Sequence, residues 1–139
     1  MSQARGQIRV GVVGLGYFGS HHARHYAAHP GARLAAVVDV DQTRACEAAD
    51  RYGSKAHEDP LELIGEVDAV SVAAPTSAHH AIAGALIDAG VHVFIEKPIA
   101  AETADAADLV ARAEEKGVVV QVGHIERYAS AFRALRERI

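Results

Sequence analysis

A glycine-rich segment near the start of the chain has the spacing of a diphosphate-binding turn. It reads GLGYFG at residues 14–19, between an apolar stretch and a segment of helical character. In such a turn the first glycine permits a tight bend, the second lets the backbone approach a phosphate, and the third allows close packing of helix on strand. The free N–H groups at the start of the helix then favour an anion. The predicted contact residues are Gly14, Gly16, Tyr17, Phe18 and Gly19.

A carboxylate follows the second apolar stretch. Asp39 lies twenty residues after Gly19, where it can accept hydrogen bonds from the hydroxyls of an adenosine ribose. The 2′-phosphate of NADP would instead meet a like charge, and two unit charges about 4 Å apart repel by roughly 1–4 kcal/mol between water and a protein surface. Asp39 therefore predicts NAD, with NADP less favoured. Arg44 would weaken that preference by reaching the ribose, but we interpret it as a solvated helix residue. A methyltransferase also combines such a turn with an acid, so that class stays open.

Three polar segments follow later apolar stretches. They are APTSAH at 74–79, EKP at 96–98 and GHIERY at 123–128. Because ligands of open α/β sheets bind at the carboxyl ends of the strands, we expect these segments to lie near the glycine turn. The amine of Lys97 is a cation that could bind and polarise a hydroxyl or carbonyl group of a substrate there.

Strands and helices alternate from start to end of the predicted structure. The pattern favours an α/β fold, a Rossmann-type doubly wound parallel sheet in three layers with strand order 3-2-1-4-5-6. Residues 1–124 are predicted to form this dinucleotide-binding domain, and residues 125–139 to begin a helix that links it to a further domain. The strands are predicted at 8–13, 34–38, 55–57, 69–73, 91–95 and 118–122.

Capping residues and apolar spacing predict where the helices begin and which faces they bury. Asp41 and Thr103 are expected to be N-caps, and DPLE at residues 59–62 combines an N-cap, a first-turn proline and a capping-box glutamate. Asp108 and Arg112 should pair on an outer helix face. The predicted core-facing residues are Ala45, Ala48, Ala49, Tyr52, Ile82, Ala85, Leu86, Ala89, Ala106, Leu109, Val110 and Ala113.

The polar segments resemble those of the Gfo/Idh/MocA oxidoreductases along nearly the whole chain. GLGYFG with His22 is similar to the phosphate turn and first helix of that family, and EKP is its most specific motif. The resemblance implies that Lys97 is the active-site lysine and that Glu96 and Pro98 shape a turn that would contain a cis Lys97–Pro98 bond. It also implies that further residues lie along the cofactor or face the nicotinamide end, namely Ala74, Pro75, Thr76, His79, Glu96, Pro98 and Arg127.

The resemblance implies an NAD-dependent enzyme that oxidises a hydroxyl of a sugar, polyol or nucleotide sugar by hydride transfer. The GHIERY variant is similar to family members acting on nucleotide sugars. Family enzymes carry a second domain that forms the substrate pocket and the oligomer interface, and we expect residues 1–139 to lack it. We therefore expect the chain to be inactive alone, with a homo-oligomer only for a full-length enzyme. The alternatives are a non-catalytic NAD-binding or sensing module and a truncated gene product.

Composition argues against several other classes of function. The net charge of −4 over 139 residues gives no electrostatic support for nucleic-acid binding. No stretch approaches the roughly 20 apolar residues that a bilayer requires, so no membrane partner is expected. The single cysteine, Cys46, is predicted to be partly buried and fits a reducing, cytoplasmic location. His21, His22 and His25 lack a completing ligand nearby, so no metal site is predicted.

The last segment carries an apolar stripe. Tyr128, Phe132, Leu135 and Ile139 share one face of a helix that is predicted to begin near Tyr128. In a complete enzyme this stripe would be covered. In the present chain we expect it to be partly exposed or to pack on the last strand.

Overall fold

A parallel sheet of six strands forms the centre of the computed structural model, which describes residues 6–138. The strands lie in the order β3-β2-β1-β4-β5-β6, so the predicted doubly wound topology is confirmed. The bounds of β1 and β3 are as predicted, and the ends of the other four strands differ from the predicted ones by at most two residues, since the last residues of a strand depend on the neighbouring strand. The strands are β1 (Ile8–Val13), β2 (Ala32–Val38), β3 (Lys55–His57), β4 (Ala69–Val72), β5 (His92–Glu96) and β6 (Val120–Gly123).

Helices connect the strands and cover both faces of the sheet. They are α1 (Tyr17–Ala28), α2 (Gln42–Tyr52), α3 (Thr76–Asp88), α4 (Thr103–Lys116) and α5 (Ser130–Arg136), with short 3₁₀ helices at Pro60–Leu63 and Ile125–Tyr128. Successive residues of β1 point to opposite faces. Val12 packs in a cluster with Ala23 and Ala45 of α1 and α2, while Val13 packs in a second cluster with Leu86 and Leu109 of α3 and α4. The sheet is therefore buried on both sides, as its near-continuous apolar strands predict.

Two of the three predicted helix starts are confirmed. The Asp41 side chain accepts a hydrogen bond of 3.2 Å from the N–H of Arg44, as an N-cap does. Residues 59–62 form the predicted capping box, although it opens only a single 3₁₀ turn. The prediction for Thr103 is wrong, because Glu102 occupies the N-cap position and Thr103 is already the first helical residue.

The core stripe of α3 is rotated by one residue from the predicted one. Leu86 is buried as expected, but Ala89 is exposed, and Ala83 and Ile87 are buried in its place. The stripe passes through His79, a residue type that apolar spacing does not assign to a core. Because a histidine occupies this buried position, apolar spacing alone assigned the wrong residues to the buried face of α3.

The predicted surface of α4 is confirmed in part. Arg112 donates a hydrogen bond of 2.7 Å to Asp108, as predicted, and His80 of α3 donates another to the same carboxylate. The hydrogen bonds from His80 and Arg112 hold the pKa of Asp108 below its usual value. Val110 was predicted to be buried but is 49% exposed, because α4 packs on α3 through a stripe only wide enough for Leu109 and Ala113.

A further prediction for a surface residue is wrong, and the start of the last α-helix is shifted by two residues. Cys46 is exposed rather than partly buried, because α2 turns Ala45 and Ala49 toward the sheet. The last α-helix begins at Ser130 rather than near Tyr128, since Ala129 is extended and separates the 3₁₀ turn from α5. Tyr128, Phe132 and Leu135 are all exposed, and Ile139 lies outside the described residues. Within residues 6–138, no helix is both long and apolar enough to cross a membrane.

Candidate functional site

In the turn between β1 and α1, neighbouring backbone atoms lie so close to two of the glycines that neither could carry a side chain. Gly14 has a φ of 84°, and a Cβ built on it would lie 2.7 Å from the carbonyl oxygen of Ala73. A Cβ on Gly19 would overlap the carbonyl oxygen of Gly14. The absence of a side chain at Gly14 and Gly19 therefore allows α1 to pack closely against the end of β1.

Gly16 differs from the other two glycines of the turn. No heavy atom of the described residues lies within 4 Å of a Cβ built on it, so the space in front of it is open. Gly16 is also the N-cap of α1, where the backbone N–H groups of the first turn have no partner within the helix. An open space beside a helix N-terminus suits a phosphate, which needs donors and tolerates no intervening side chain.

Asp39 connects the end of β2 to this turn. Its carboxylate accepts hydrogen bonds from the backbone N–H of Leu15 at 2.6 Å and from that of Asp41 at 2.8 Å. The residue is only 6% exposed. Nη1 of Arg44 also donates long hydrogen bonds to both oxygens, of 3.4 Å to Oδ1 and 3.3 Å to Oδ2, so a ligand hydroxyl would take the place of the guanidinium at this carboxylate.

Arg44 corrects one interpretation of the sequence. It is not a purely solvated residue, since its Nη1 lies 3.3 Å from Oδ2 of Asp39 and its Nη2 lies 3.5 Å from Oδ2 of Asp41. The side chain is still 49% exposed. A positive charge thus lies at the edge of the Asp39 site. The spacing of residues along α2 did not predict this contact.

A cleft of 580 Å³ opens beside these residues, within the range of ligand pockets. Its walls come from the segments that follow β1, β2 and β4. Ala74 and Pro75, both predicted as site residues, line the cleft together with Asp39, and Thr76 follows them as the first residue of α3. The remaining lining residues include Gly14, Gly16, Val40, Arg44, Glu58, Pro60, Ala78 and Ile82.

The EKP segment forms the turn after β5, with a cis Lys97–Pro98 bond as predicted. Glu96 points inward and is 7% exposed, with Oε2 accepting from the backbone N–H of Lys97 at 3.2 Å. The imidazole Nε2 of His22 lies 2.9 Å from the other oxygen, Oε1. Gly123 closes the opposite side, because a Cβ there would lie 3.0 Å from Oε2 of Glu96.

His79 is a predicted cofactor contact that lies beneath the surface instead. It is 1% exposed, and its ring lies between two backbone carbonyl groups: Nε2 is 2.8 Å from the oxygen of Ala74, and Nδ1 is 2.9 Å from that of Pro98. The ring therefore connects the loop after β4 to the turn after β5. His79 would therefore influence a ligand through those loops, and not by the direct contact that was predicted.

A second cavity, of 600 Å³, lies over the ends of β5 and β6. Lys97 and Arg127 both line it, so the structure brings together the two cations that the sequence predicted for the reacting end. Phe18 of α1 and Phe132 of α5 complete its apolar walls. Tyr17 is exposed and contacts the Phe18 ring edge-on, with ring centroids 5.3 Å apart.

The two cavities both lie at the carboxyl edge of the sheet. Gly14, Gly16 and Asp39 lie at one end, and Lys97 and Arg127 lie at the other. The sequence reasoning did not find the contact between His22 and Glu96, which are 74 positions apart and share no spacing signal. Among residues 6–138, no group of three or more His, Cys, Asp or Glu side chains is arranged to hold a metal ion.

Comparison with known proteins agrees with this geometry. Residues 8–124 match a family model described as "Oxidoreductase family, NAD-binding Rossmann fold", with the name GFO_IDH_MocA. UDP-N-acetylglucosamine 3-dehydrogenase of Acidithiobacillus ferrooxidans is 42% identical over 130 residues, which are 94% of this chain and 41% of that protein. Inositol 2-dehydrogenase 1 of Saccharopolyspora erythraea is 43% identical over 90% of this chain and 39% of its own length.

Solved structures share the fold. The crystal forms of the Acidithiobacillus enzyme include one with a TM-score of 0.88 at 41% identity, covering 95% of this chain and 43% of that one. GenD2 from gentamicin A biosynthesis, in complex with NAD, has a TM-score of 0.91 at 35% identity and covers 99% of this chain and 40% of that one. The chain thus spans about two fifths of the length of the proteins that it matches.

Proposed function

The chain belongs to the Gfo/Idh/MocA oxidoreductase family, and from that premise we propose that it is the cofactor-binding part of an NAD-dependent dehydrogenase acting on a hydroxyl group of a sugar, polyol or nucleotide sugar. One observation carries the proposal: the open glycine turn, the fixed carboxylate of Asp39 and the amine of Lys97 lie along one edge of the sheet. An extended dinucleotide needs such a row of sites, because its ribose, diphosphate and nicotinamide are recognised separately.

The residues of the first cleft fit the adenosine and diphosphate groups of a dinucleotide. Asp39 would accept hydrogen bonds from the ribose hydroxyls, which would take the place of the long contacts of 3.3 and 3.4 Å that Arg44 makes with its two oxygens. The N–H groups behind Gly16 would donate to the diphosphate, because no side chain fills that space. Ala74, Pro75 and Thr76 would lie along the middle of the dinucleotide.

The second cavity would hold the nicotinamide ring and the substrate. Lys97 would bind the reacting hydroxyl and stabilise negative charge on its oxygen as a base removes the proton. Arg127 would contact the nicotinamide end or the substrate, while Glu96 and Pro98 would keep the lysine in place. NAD, when bound, would supply the acceptor for the hydride.

Asp39 and Arg44 have opposite effects on the choice between NAD and NADP. The carboxylate of Asp39 would repel a 2′-phosphate, but the guanidinium of Arg44 lies 3.3 Å from that carboxylate and offsets part of the repulsion. We infer an NAD preference smaller than Asp39 alone would give.

The similarity to UDP-N-acetylglucosamine 3-dehydrogenase, together with the GHIERY segment, supports a nucleotide sugar as the substrate.

A second candidate is a module that binds NAD without turnover. The exposure of both Lys97 and Arg127 to solvent favours it, because a catalytic amine usually works in a site that excludes water. A cytoplasmic location, and a homo-oligomer in the case of a longer enzyme, stay predictions from the sequence.

A binding and turnover experiment tests these proposals. The purified chain is titrated with NADH by fluorescence and is then assayed for NADH production from NAD with sugars, inositols and UDP-N-acetylglucosamine. We expect saturable NADH binding and negligible turnover. Saturable binding of S-adenosylmethionine with none of NADH would instead favour a methyltransferase, and rapid turnover of any sugar would contradict the prediction that the chain is inactive alone.

A further inference from the structure

Four polar side chains from three elements form a hydrogen-bonded chain beneath the EKP turn. The hydroxyl groups of Tyr26 on α1 and Ser71 on β4 lie 2.7 Å apart. Ser71 Oγ lies 3.1 Å from Nδ1 of His22, and Nε2 of His22 lies 2.9 Å from Oε1 of Glu96 at the end of β5. The chain ends at Lys97, whose backbone N–H donates to Oε2 of Glu96.

One arrangement of protons satisfies every group in this chain. In it the Tyr26 hydroxyl donates to Ser71 Oγ, the Ser71 hydroxyl donates to Nδ1 of His22, and an N–H at Nε2 of His22 donates to the carboxylate of Glu96. A fully connected buried network fixes the orientation of its members, whereas a partly connected one leaves a costly unpaired group. The imidazole is thus held on both sides, by a hydroxyl at Nδ1 and by a carboxylate at Nε2.

The surroundings leave Glu96 little freedom. Ser71 and Glu96 are buried, and the Phe94 ring contacts the His22 ring edge-on, with centroids 5.3 Å apart. Gly123 lies so close that even a methyl group there would press on the carboxylate. His22 is therefore the one side chain within residues 6–138 that donates to Glu96, and losing it would leave a buried carboxylate without that partner.

We propose that His22 is a positioning residue for Lys97: it holds the Glu96 carboxylate, which in turn holds the backbone N–H of Lys97 at the site. The inference rests on the proposed function of Lys97. It assigns a role to the buried face of α1, which lies directly behind the phosphate turn. One helix would then present the diphosphate site at its first turn and support the reacting end from its second.

Amide hydrogen exchange, measured by NMR on the whole chain without nucleotide, tests this inference. Gln at position 22 can bring an amide donor near the position of Nε2, whereas the shorter Asn side chain does not reach Glu96. We expect His22→Asn to accelerate exchange of the Lys97 amide by about threefold to tenfold, the range for one lost hydrogen bond. His22→Gln should restore a rate within about twofold of the wild type. Amides of β1 should be unchanged in both variants, which excludes a general loss of structure.

His80→Gln is the matched control, because His80 lies 2.7 Å from the carboxylate of Asp108 in a similar pair that is remote from the site. It should leave the Lys97 amide unchanged. Equal Lys97 exchange in His22→Asn and His22→Gln, or an unchanged rate in a folded His22→Asn protein, would overturn the proposal. If His22→Asn fails to fold, Ser71→Ala removes the next link of the chain and should give a smaller acceleration at Lys97, with no acceleration counting against the proposal.

Failure of the proposed function would look different. A wild-type chain that does not bind NADH would contradict the dinucleotide site, while the exchange results at Lys97 would be unaffected because no nucleotide is present. A chain that binds NADH normally but shows no coupling between His22 and Lys97 would contradict only the positioning role.

Discussion

The carboxylate of Asp39 accepts a hydrogen bond of 2.6 Å from the backbone N–H of Leu15, joining the end of β2 to the middle of the glycine turn after β1. The residue proposed to bind the ribose thus also fixes the loop proposed to bind the diphosphate. A change at Asp39 should therefore affect both the choice of cofactor and the affinity for either one.

Asp39→Ala should narrow the preference for NADH over NADPH. Removing the carboxylate removes its repulsion of the 2′-phosphate, worth roughly 1–4 kcal/mol, so the ratio of the two dissociation constants should fall by about fivefold or more. Affinity for NADH itself should also fall, because the Leu15 N–H loses its acceptor. Fluorescence titration with both nucleotides measures this. Asp50→Ala, at an exposed position of α2, is the control. An unchanged ratio in Asp39→Ala would count against Asp39 as the ribose ligand.

Arg44→Gln should change the preference in the opposite direction. The guanidinium that lies 3.3 Å from Asp39 would be lost, so NADPH should bind about threefold or more weaker while NADH changes by less than about twofold. Arg51→Gln removes an arginine from the last turn of the same helix and should leave both affinities unaltered. If the two variants behave alike, Arg44 does not reach the ribose site.

Gly19→Ala should destabilise the fold itself. The added methyl group would overlap the carbonyl oxygen of Gly14, so α1 must move away from the end of β1. Overpacking of this kind costs about 1–3 kcal/mol of unfolding free energy, and occasionally more. Urea unfolding followed by circular dichroism measures the loss, and a variant as stable as the wild type would show that the turn is looser than described.

Stability should fall in acid, in part because of the Arg9–Asp68 pair. Hydrogen bonds from the Arg9 side chain and backbone N–H hold the pKa of Asp68 below its usual value. The unfolded chain binds a proton at that carboxyl group first as the pH drops, so this contribution is complete above about pH 5 and is lost progressively below about pH 4.

Asp68→Asn removes that titration, so its unfolding free energy should depend less steeply on pH between about 2 and 4. Asp50→Asn, at an exposed position of α2, serves as the control. Urea unfolding at a series of pH values gives the comparison. Identical slopes for Asp68→Asn and the wild type would mean that the pair does not contribute.

The fold and the ends of the site follow from local patterns in the sequence. Gly14 to Gly19 and Asp39 could be predicted because strand, turn and acid occur at fixed separations, and the EKP motif located Lys97. The internal contacts could not be predicted, since His22 and Glu96 come together only when α1 packs beside β5. His79 shows the same limit, because its burial between Ala74 and Pro98 depends on two loops that are remote in sequence.

The directions and burial of single side chains also differ from the predicted ones. Arg44 turns back toward Asp39, a choice among rotamers that helix spacing does not determine. Val110 has the residue type of a core position, yet α4 is covered on too narrow a face to bury it. Hydrophobic periodicity gives the face of a helix, whereas neighbouring elements decide how wide that face is.

NADH titration of the wild type beside Gly16→Ala tests the diphosphate site most directly. Because the space in front of Gly16 is open, the added methyl group should leave unfolding free energy within about 1 kcal/mol of the wild type. It should weaken NADH binding by about tenfold or more, since it occupies the position proposed for a phosphate. A wild type that does not bind NADH, or a folded Gly16→Ala protein that binds it equally well, would contradict the account.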